Sequence, residues 1–353
     1  MKLKKEGVNK LGRMVIMRKT FLKNILGLTL ALGLCAVIPT NSKAACYQQQ
    51  EVDLQAYETF RSDNEMCVDK KGNVYNFHYS DAVLGLNGVV RKYVYAADKA
   101  VKKLEIPVKS TYDANVVMSN NRIIIADEYD DLSKKAVFSI HNLKGKKIKT
   151  ITDKLNRRSG KYKSLDVSDS EVLDIDCIGK TLIYHVHVSG KNEGNYLRWL
   201  DIQSGKVVYQ KKISSSGYDS KIQNHKLYSF VIENNSSEEY VTDSNAKKAV
   251  RVFSLKGKKL GEYKVPKTKH SLEDKIFAKG NKLYYLCEAG IYVRKQNKNS
   301  EWKLFYDASG DSYFENKAYR DLCIVDNNTF YVGFSDDKEV NLSNILVRYS
   351  KRH

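Results

Sequence analysis

From Asn73 onward, short runs rich in tyrosine, isoleucine, leucine and valine alternate with turns of asparagine, glycine and lysine. The alternation recurs about every 50 residues. Six of the apolar runs align: NVYNFHY from Asn73, RIIIADE from Arg122, TLIYHVHV from Thr181, KLYSFVI from Lys226, KLYYLCE from Lys282 and TFYVGF from Thr329. Their first apolar residues are Val74, Ile123, Leu182, Leu227, Leu283 and Phe330, separated by 49, 59, 45, 56 and 47 residues. Runs of this length, rich in β-branched and aromatic residues and bounded by turn residues, predict strands. No long stretch has helical periodicity.

Each aligned run is the second strand of a four-stranded unit. A first strand lies five to seven residues upstream and carries Cys67, Val116, Cys177, Ile222, Ile276 and Cys323 in one predicted apolar column. A third and a fourth strand follow as a hairpin, as in VFSIHNLKGKKIKTI from Val137 and VRVFSLKGKKLGEYKV from Val250. Glycine suits these turns because it takes positive φ without a Cβ clash. Pro107 and Pro266 fall late in fourth strands, where an outer edge has unpaired N–H groups and tolerates proline.

Four-stranded units at this period are the mark of propeller blades, which bury both apolar faces by packing blade on blade around an axis. The predicted fold is all-β: a six-bladed β-propeller with blades over 64–112, 113–166, 170–217, 218–270, 271–319 and 320–353. The last unit has a first strand near Leu322, a second at Phe330 and a third at Ile345–Tyr349, and then the sequence stops. The alternating segment 51–60 (EVDLQAYETF) is expected to supply its missing outer strand. In architecture the chain resembles secreted bacterial six-bladed β-propeller repeat proteins over about Tyr47 to His353. The Gly-His…Trp-Asp, Thr-Gly-x-x-x-Trp and Ser-x-Asp-x-Gly-x-Thr-Trp signatures of named subfamilies are missing, so the resemblance carries over no catalytic residue.

The N-terminal 44 residues read as an export leader, with 17–44 as its working part. Arg18, Lys19 and Lys23 precede the apolar run Ile25–Ile38, and small residues at Ser42 and Ala44 suit a signal peptidase. The expected product is a single domain from 45 to 353, secreted or held at the cell surface, with no membrane span. The chain carries +19. The leader holds nine Lys/Arg against one Glu, so the remainder keeps about +11. A basic exported protein attracts anionic wall polymer, acidic glycan, lipid head groups or a surface protein. The same lysines also keep strand edges soluble. Export and the lack of any nucleic-acid module argue against nucleic acid. The five cysteines after the leader have no framework spacing.

In a propeller, loops entering the first strand and leaving the second share one face. Tyr79, Glu128, Asp176, His187, Glu288 and Asp321 are the candidate ligand residues of that mouth. His185 and His187 fall on one strand face by period-two alternation and form a candidate metal pair. No cofactor is otherwise predicted, and a divalent metal at that pair is the one option. No Gly-x-Ser-x-Gly elbow or phosphate-binding glycine loop occurs. The leading expectation is a non-enzymatic ligand- or protein-binding module. The alternative is a propeller hydrolase or lyase, metal-dependent or not, working at the mouth.

Overall fold

The computed structural model describes residues 47–52, 66–68, 73–80, 87–96, 99–108, 114–119, 121–127, 134–157, 162, 164–214, 219–233, 247–267, 274–335 and 344–352. The predicted leader lies outside them. Among the described residues, strands dominate and assemble into six antiparallel four-stranded sheets.

Sheet 1 holds β2 (Met66–Val68), β3 (Val74–Ser80), β4 (Asn87–Ala96) and β5 (Lys99–Val108). Sheet 2 holds β6 (Ala114–Ser119), β7 (Arg122–Asp127), β8 (Lys135–Asn142) and β9 (Lys147–Lys154). Sheet 3 holds β10 (Asp169–Ile178), β11 (Thr181–Ser189), β12 (Gly194–Asp201) and β13 (Val207–Ile213). Sheet 4 holds β14 (Asp219–Gln223), β15 (Lys226–Glu233), β16 (Lys247–Ser254) and β17 (Lys259–Lys264). Sheet 5 holds β18 (Lys275–Lys279), β19 (Lys282–Cys287), β20 (Gly290–Lys295) and β21 (Lys303–Asp307). Sheet 6 runs β22 (Ala318–Ile324), β23 (Thr329–Ser335), β24 (Asn344–Lys351) and, outermost, β1 (Tyr47–Val52).

The first strands β2, β6, β10, β14, β18 and β22 each touch the next, and β22 touches β2 again. The chain is therefore an all-β β-propeller. The N-terminal strand closes sheet 6, with Tyr47 opposite Lys351 and Val52 opposite Leu346. Its position corrects the expectation: the closing strand is Tyr47–Val52, and residues 53–60 lie outside the described set. Only the two ends of YQQQEV are buried, so alternation could not reveal it.

All six aligned anchors, Val74 to Phe330, are 0% exposed. Their first-strand partners are Val68, Met118, Cys177, Ile222, Ala278 and Ile324. Only Cys177 and Ile222 of the predicted column hold. Cys67 and Cys323 sit one register step away, and Val116 and Ile276 two. The first-to-second connections of sheets 1 and 6 are one residue longer than the others, and a one-residue slip moves a side chain to the other face, whereas Val116 and Ile276 are displaced along the same face.

Side chains stitch the inner strands together. Asn115 Nδ2 donates to Val172 O at 2.9 Å, and Ser119 Oγ to Cys177 O at 2.6 Å. Asp174 accepts from Ile222 N, Gln223 from Ala278 N, and Lys279 Nζ donates to Ile324 O at 3.0 Å. Asp321 Oδ2 accepts from Met66 N at 2.8 Å, joining the last sheet to the first.

The third-to-fourth turns explain their glycines. Gly145 has φ +80°, and a Cβ there would lie 2.8 Å from Leu104 of the preceding sheet. Gly257 has φ +73°, and its Cβ would meet Ile213 at 3.0 Å. Positive φ and a close neighbour both demand glycine. A short helix, α1 (Ser312–Asn316), interrupts the strands. Asp311 caps it by accepting from Tyr313 N at 3.0 Å. Among the described residues, no helix is long and apolar enough to cross a membrane.

Candidate binding cavity on the ring axis

A cavity of about 560 Å³ lies on the axis, lined by residues from the inner strands of all six sheets. Met66, Val116, Val117, Met118 and Phe277 form its apolar wall. Asp176, Gln223, Asn224 and Lys279 supply polar groups. Asn224 sits in the β14–β15 turn and Val325 directly follows β22, so the cavity lies toward the end carrying the first-to-second-strand turns. That is the opposite end from the predicted mouth.

Lys221 also lines the cavity. It belongs to sheet 4, yet its Nζ lies 3.7 Å from Asp321 Oδ1 of sheet 6, with sheet 5 between them. The ion pair is thus a strut across the ring, and both partners are buried. Asp321 Oδ1 also accepts from Leu322 N at 2.8 Å. Its predicted role as a mouth ligand is corrected: the carboxylate is committed to the backbone of β2 and β22 and to Lys221. An acid at the head of an apolar strand looks the same in sequence whether it faces solvent or latches a neighbour.

Asp176 is the predicted site residue that faces the cavity. Its Oδ1 accepts from Cys177 N at 2.7 Å. Burial pushes its carboxyl above the ordinary range, while the Cys177 N–H and the nearby His225 pull it back. A desolvated carboxylate gains from a ligand that brings a cation or hydrogen-bond donors. His225 lies in a two-residue turn with Asn224, both at positive φ.

The remaining predicted residues are spread out. His187 pairs with Glu171 toward the far end of sheet 3, four residues along β11 from Ile183, the partner of Asp176. At the strand rise that is roughly 13 Å. Asp176 and His187 therefore do not form one site. Glu288 lies in the β19–β20 turn and is half-buried. Tyr79 is on β3 opposite Gly88, its side chain outside the described residues, as is Glu128.

His185 and His187 share a strand face, as alternation requires, but their environments differ. His187 is half-buried. His185 is fully buried, and its Nδ1 lies 2.8 Å from Ser220 Oγ of sheet 4. Burial, and then His187, push its pKa down to about 3. His185 is thus a neutral ring wedged between sheets. Among the described residues no three His, Cys, Asp or Glu side chains gather as a metal set. Burial also raises the thiols of Cys177, Cys287 and Cys323, which keeps them protonated and poorly nucleophilic. Sequence reasoning missed Lys221 and Gln223. The available signal was the anomaly of a lysine inside the short inner strand DSKIQ.

Solved structures share this fold. Trypanosoma rangeli sialidase in complex with the inhibitor DANA matches with a TM-score of 0.54 at 10% identity, over 85% of this chain and 59% of that one. A Dyadobacter fermentans protein of unknown function matches with a TM-score of 0.52 at 10% identity, over 89% of this chain and 100% of that one. The chain thus spans 59% of the sialidase's length. At this identity the likeness is one of fold. No protein-family model matches the chain, and no curated protein sequence matches it.

Proposed function

We propose that this chain is an exported six-bladed propeller acting as a binding module at the cell surface, with its ligand seated in the axial cavity. The six four-stranded sheets and their ring of inner strands support the blade count. The basic sequence and its leader support export and surface residence. The observation that carries the binding reading is the cavity itself. About 560 Å³ falls in the range of small-ligand sites, and an apolar wall with a few polar groups is their usual make-up. The desolvated carboxylate of Asp176 selects an amine- or hydroxyl-bearing ligand.

The test is a thermal-shift screen of soluble glycans, amino sugars and basic peptides, repeated on Asp176→Asn. A ligand present at about 100 times its Kd stabilises the protein by about 2.7 kcal/mol. That stabilisation is expected for the parent and lost in the variant. A solved sialidase of the same fold holds sialic acid, so sialylated glycans belong in the first panel. Turnover of a glycan, lactone or phosphodiester that depends on Asp176 would replace this reading with the hydrolase alternative.

A further inference from the structure

The third-to-fourth hairpins of sheets 2, 3 and 4 share a detail beyond their sequence repeat. Each outer strand carries one extra residue just after the turn. In sheet 2, His141 pairs with Lys147 and Ile140 with Lys149, so Ile148 is the bulged residue. In sheet 3, Leu200 pairs with Val207 and Trp199 with Tyr209, so Val208 is bulged. In sheet 4, Phe253 pairs with Lys259 and Val252 with Gly261, so Leu260 is bulged. A bulge re-aims the side chain of its extra residue. Here it turns three aliphatic side chains outward, 57%, 46% and 51% exposed. With Leu143 of the β8–β9 turn, they are the exposed large hydrophobic residues among those described.

The residues beside them are cationic. Lys144, Lys146 and Lys147 precede Ile148, Lys206 precedes Val208, and Lys256 and Lys258 precede Leu260. All six lysines are exposed, and none makes an ion pair with another described residue. One end of three successive sheets therefore presents aliphatic side chains among unpaired ammonium groups.

We propose that this rim docks the propeller on an anionic lipid surface, with Ile148, Val208 and Leu260 entering the head-group layer and the turn lysines meeting lipid phosphates. Each half of the chemistry selects against another occupant. A second copy presenting the same rim would bring lysine against lysine. A hydrated soluble polyanion would satisfy the lysines and leave the aliphatic side chains in water. A bilayer interface answers both, because apolar burial and electrostatic attraction to anionic lipid add.

The test uses residues 43–353, the compact unit that holds every described strand. It measures co-sedimentation with phosphatidylcholine vesicles, with and without phosphatidylglycerol. Binding is expected only with phosphatidylglycerol. Ile148→Ser/Val208→Ser/Leu260→Ser should weaken it by about tenfold or more. Lys144→Gln/Lys146→Gln/Lys147→Gln should weaken it by about a hundredfold. All these side chains are exposed, so unchanged melting curves verify folding. No preference for anionic vesicles overturns the proposal. So does binding that the serine variant retains in full, which would leave charge alone as the cause. A dimer that the serine variant dissociates, without vesicle binding by the parent, would reassign the rim to self-association. Soluble polyphosphate binding without vesicle binding would reassign it to a polyanion.

Discussion

Two seams of the ring bury a carboxylate in opposite ways. Between sheets 2 and 3, Asp153 meets Arg198, which donates from Nε at 2.9 Å and from Nη2 at 3.1 Å. Tyr184 donates to the same carboxylate, and Arg198 reaches Gln210 as well. At the closing seam, Asp311 has neutral donors. Tyr306 Oη donates at 2.7 Å, Tyr349 Oη at 2.9 Å and Tyr313 N at 3.0 Å. Aromatic rings surround it: Tyr349 stacks on Phe330 at 4.6 Å, and Tyr47 meets Phe330 at 5.2 Å. Tyr313 Oη also donates to Glu51 of β1 at 2.6 Å, tying the helix to the closing strand. The first seam holds a countercharge, so losing one partner strands the other. The second spreads its negative charge over several dipoles, so losing one donor leaves the rest in place.

The largest effect should come from the closing seam as a whole. Deleting Tyr47–Val52 exposes the edge of β24 and removes a ring from the aromatic cluster, and it is expected to abolish a cooperative melt by circular dichroism. Next comes Arg198→Met, which leaves Asp153 buried without its cation and should cost about 3–5 kcal/mol in urea unfolding. Asp153→Leu/Arg198→Leu should recover most of that loss, because an apolar pair strands no charge. A recovery no better than the single variant would show that the pair contributes net stability.

Asp274 is the intermediate case, with Lys248 Nζ at 3.2 Å, Tyr285 Oη at 2.6 Å and Tyr319 Oη at 3.2 Å. Burial pushes its carboxyl up to about 6, and the Tyr285 hydroxyl and Lys248 pull it back. The folded state therefore holds this proton more tightly than the unfolded chain, whose value is 3.8. The stability it contributes is fully present below the unfolded value and is lost as pH rises through about 6. Stability should fall by about 3 kcal/mol across that window, and Asp274→Asn should flatten that part of the profile. The smallest effect is expected from Tyr349→Phe, which removes one donor of several at Asp311 and should cost about 1–2 kcal/mol.

The repeat was legible because its anchors are short-range. A buried apolar anchor followed by a third-to-fourth hairpin recurs from sheet to sheet, with glycine in the turns of sheets 2, 3 and 4. The seams were not legible. Asp153 and Arg198 are 45 residues apart, and no local pattern ties them together. An N-terminal closing strand was legible, but its bounds were not, for a related reason: it is an edge held by backbone pairing, and its three glutamines carry no alternation. The candidate site was half legible. Asp176 lines the cavity, but Lys221 and Gln223, which line it too, were hidden in an inner strand, and the donors that hold Asp321 from other sheets, Met66 N and Lys221 Nζ, leave no local mark in the sequence.

The pairing of β1 with β24 also sets a schedule. Tyr47 and Lys351 stand about 300 residues apart in the chain yet share a hydrogen-bonded edge. During synthesis β1 leaves the ribosome long before β24 and must wait, unpaired, until that partner has followed. Closure is therefore a single late event, and contacts between such distant segments form slowly. Until then sheet 6 is an open template for any passing extended chain.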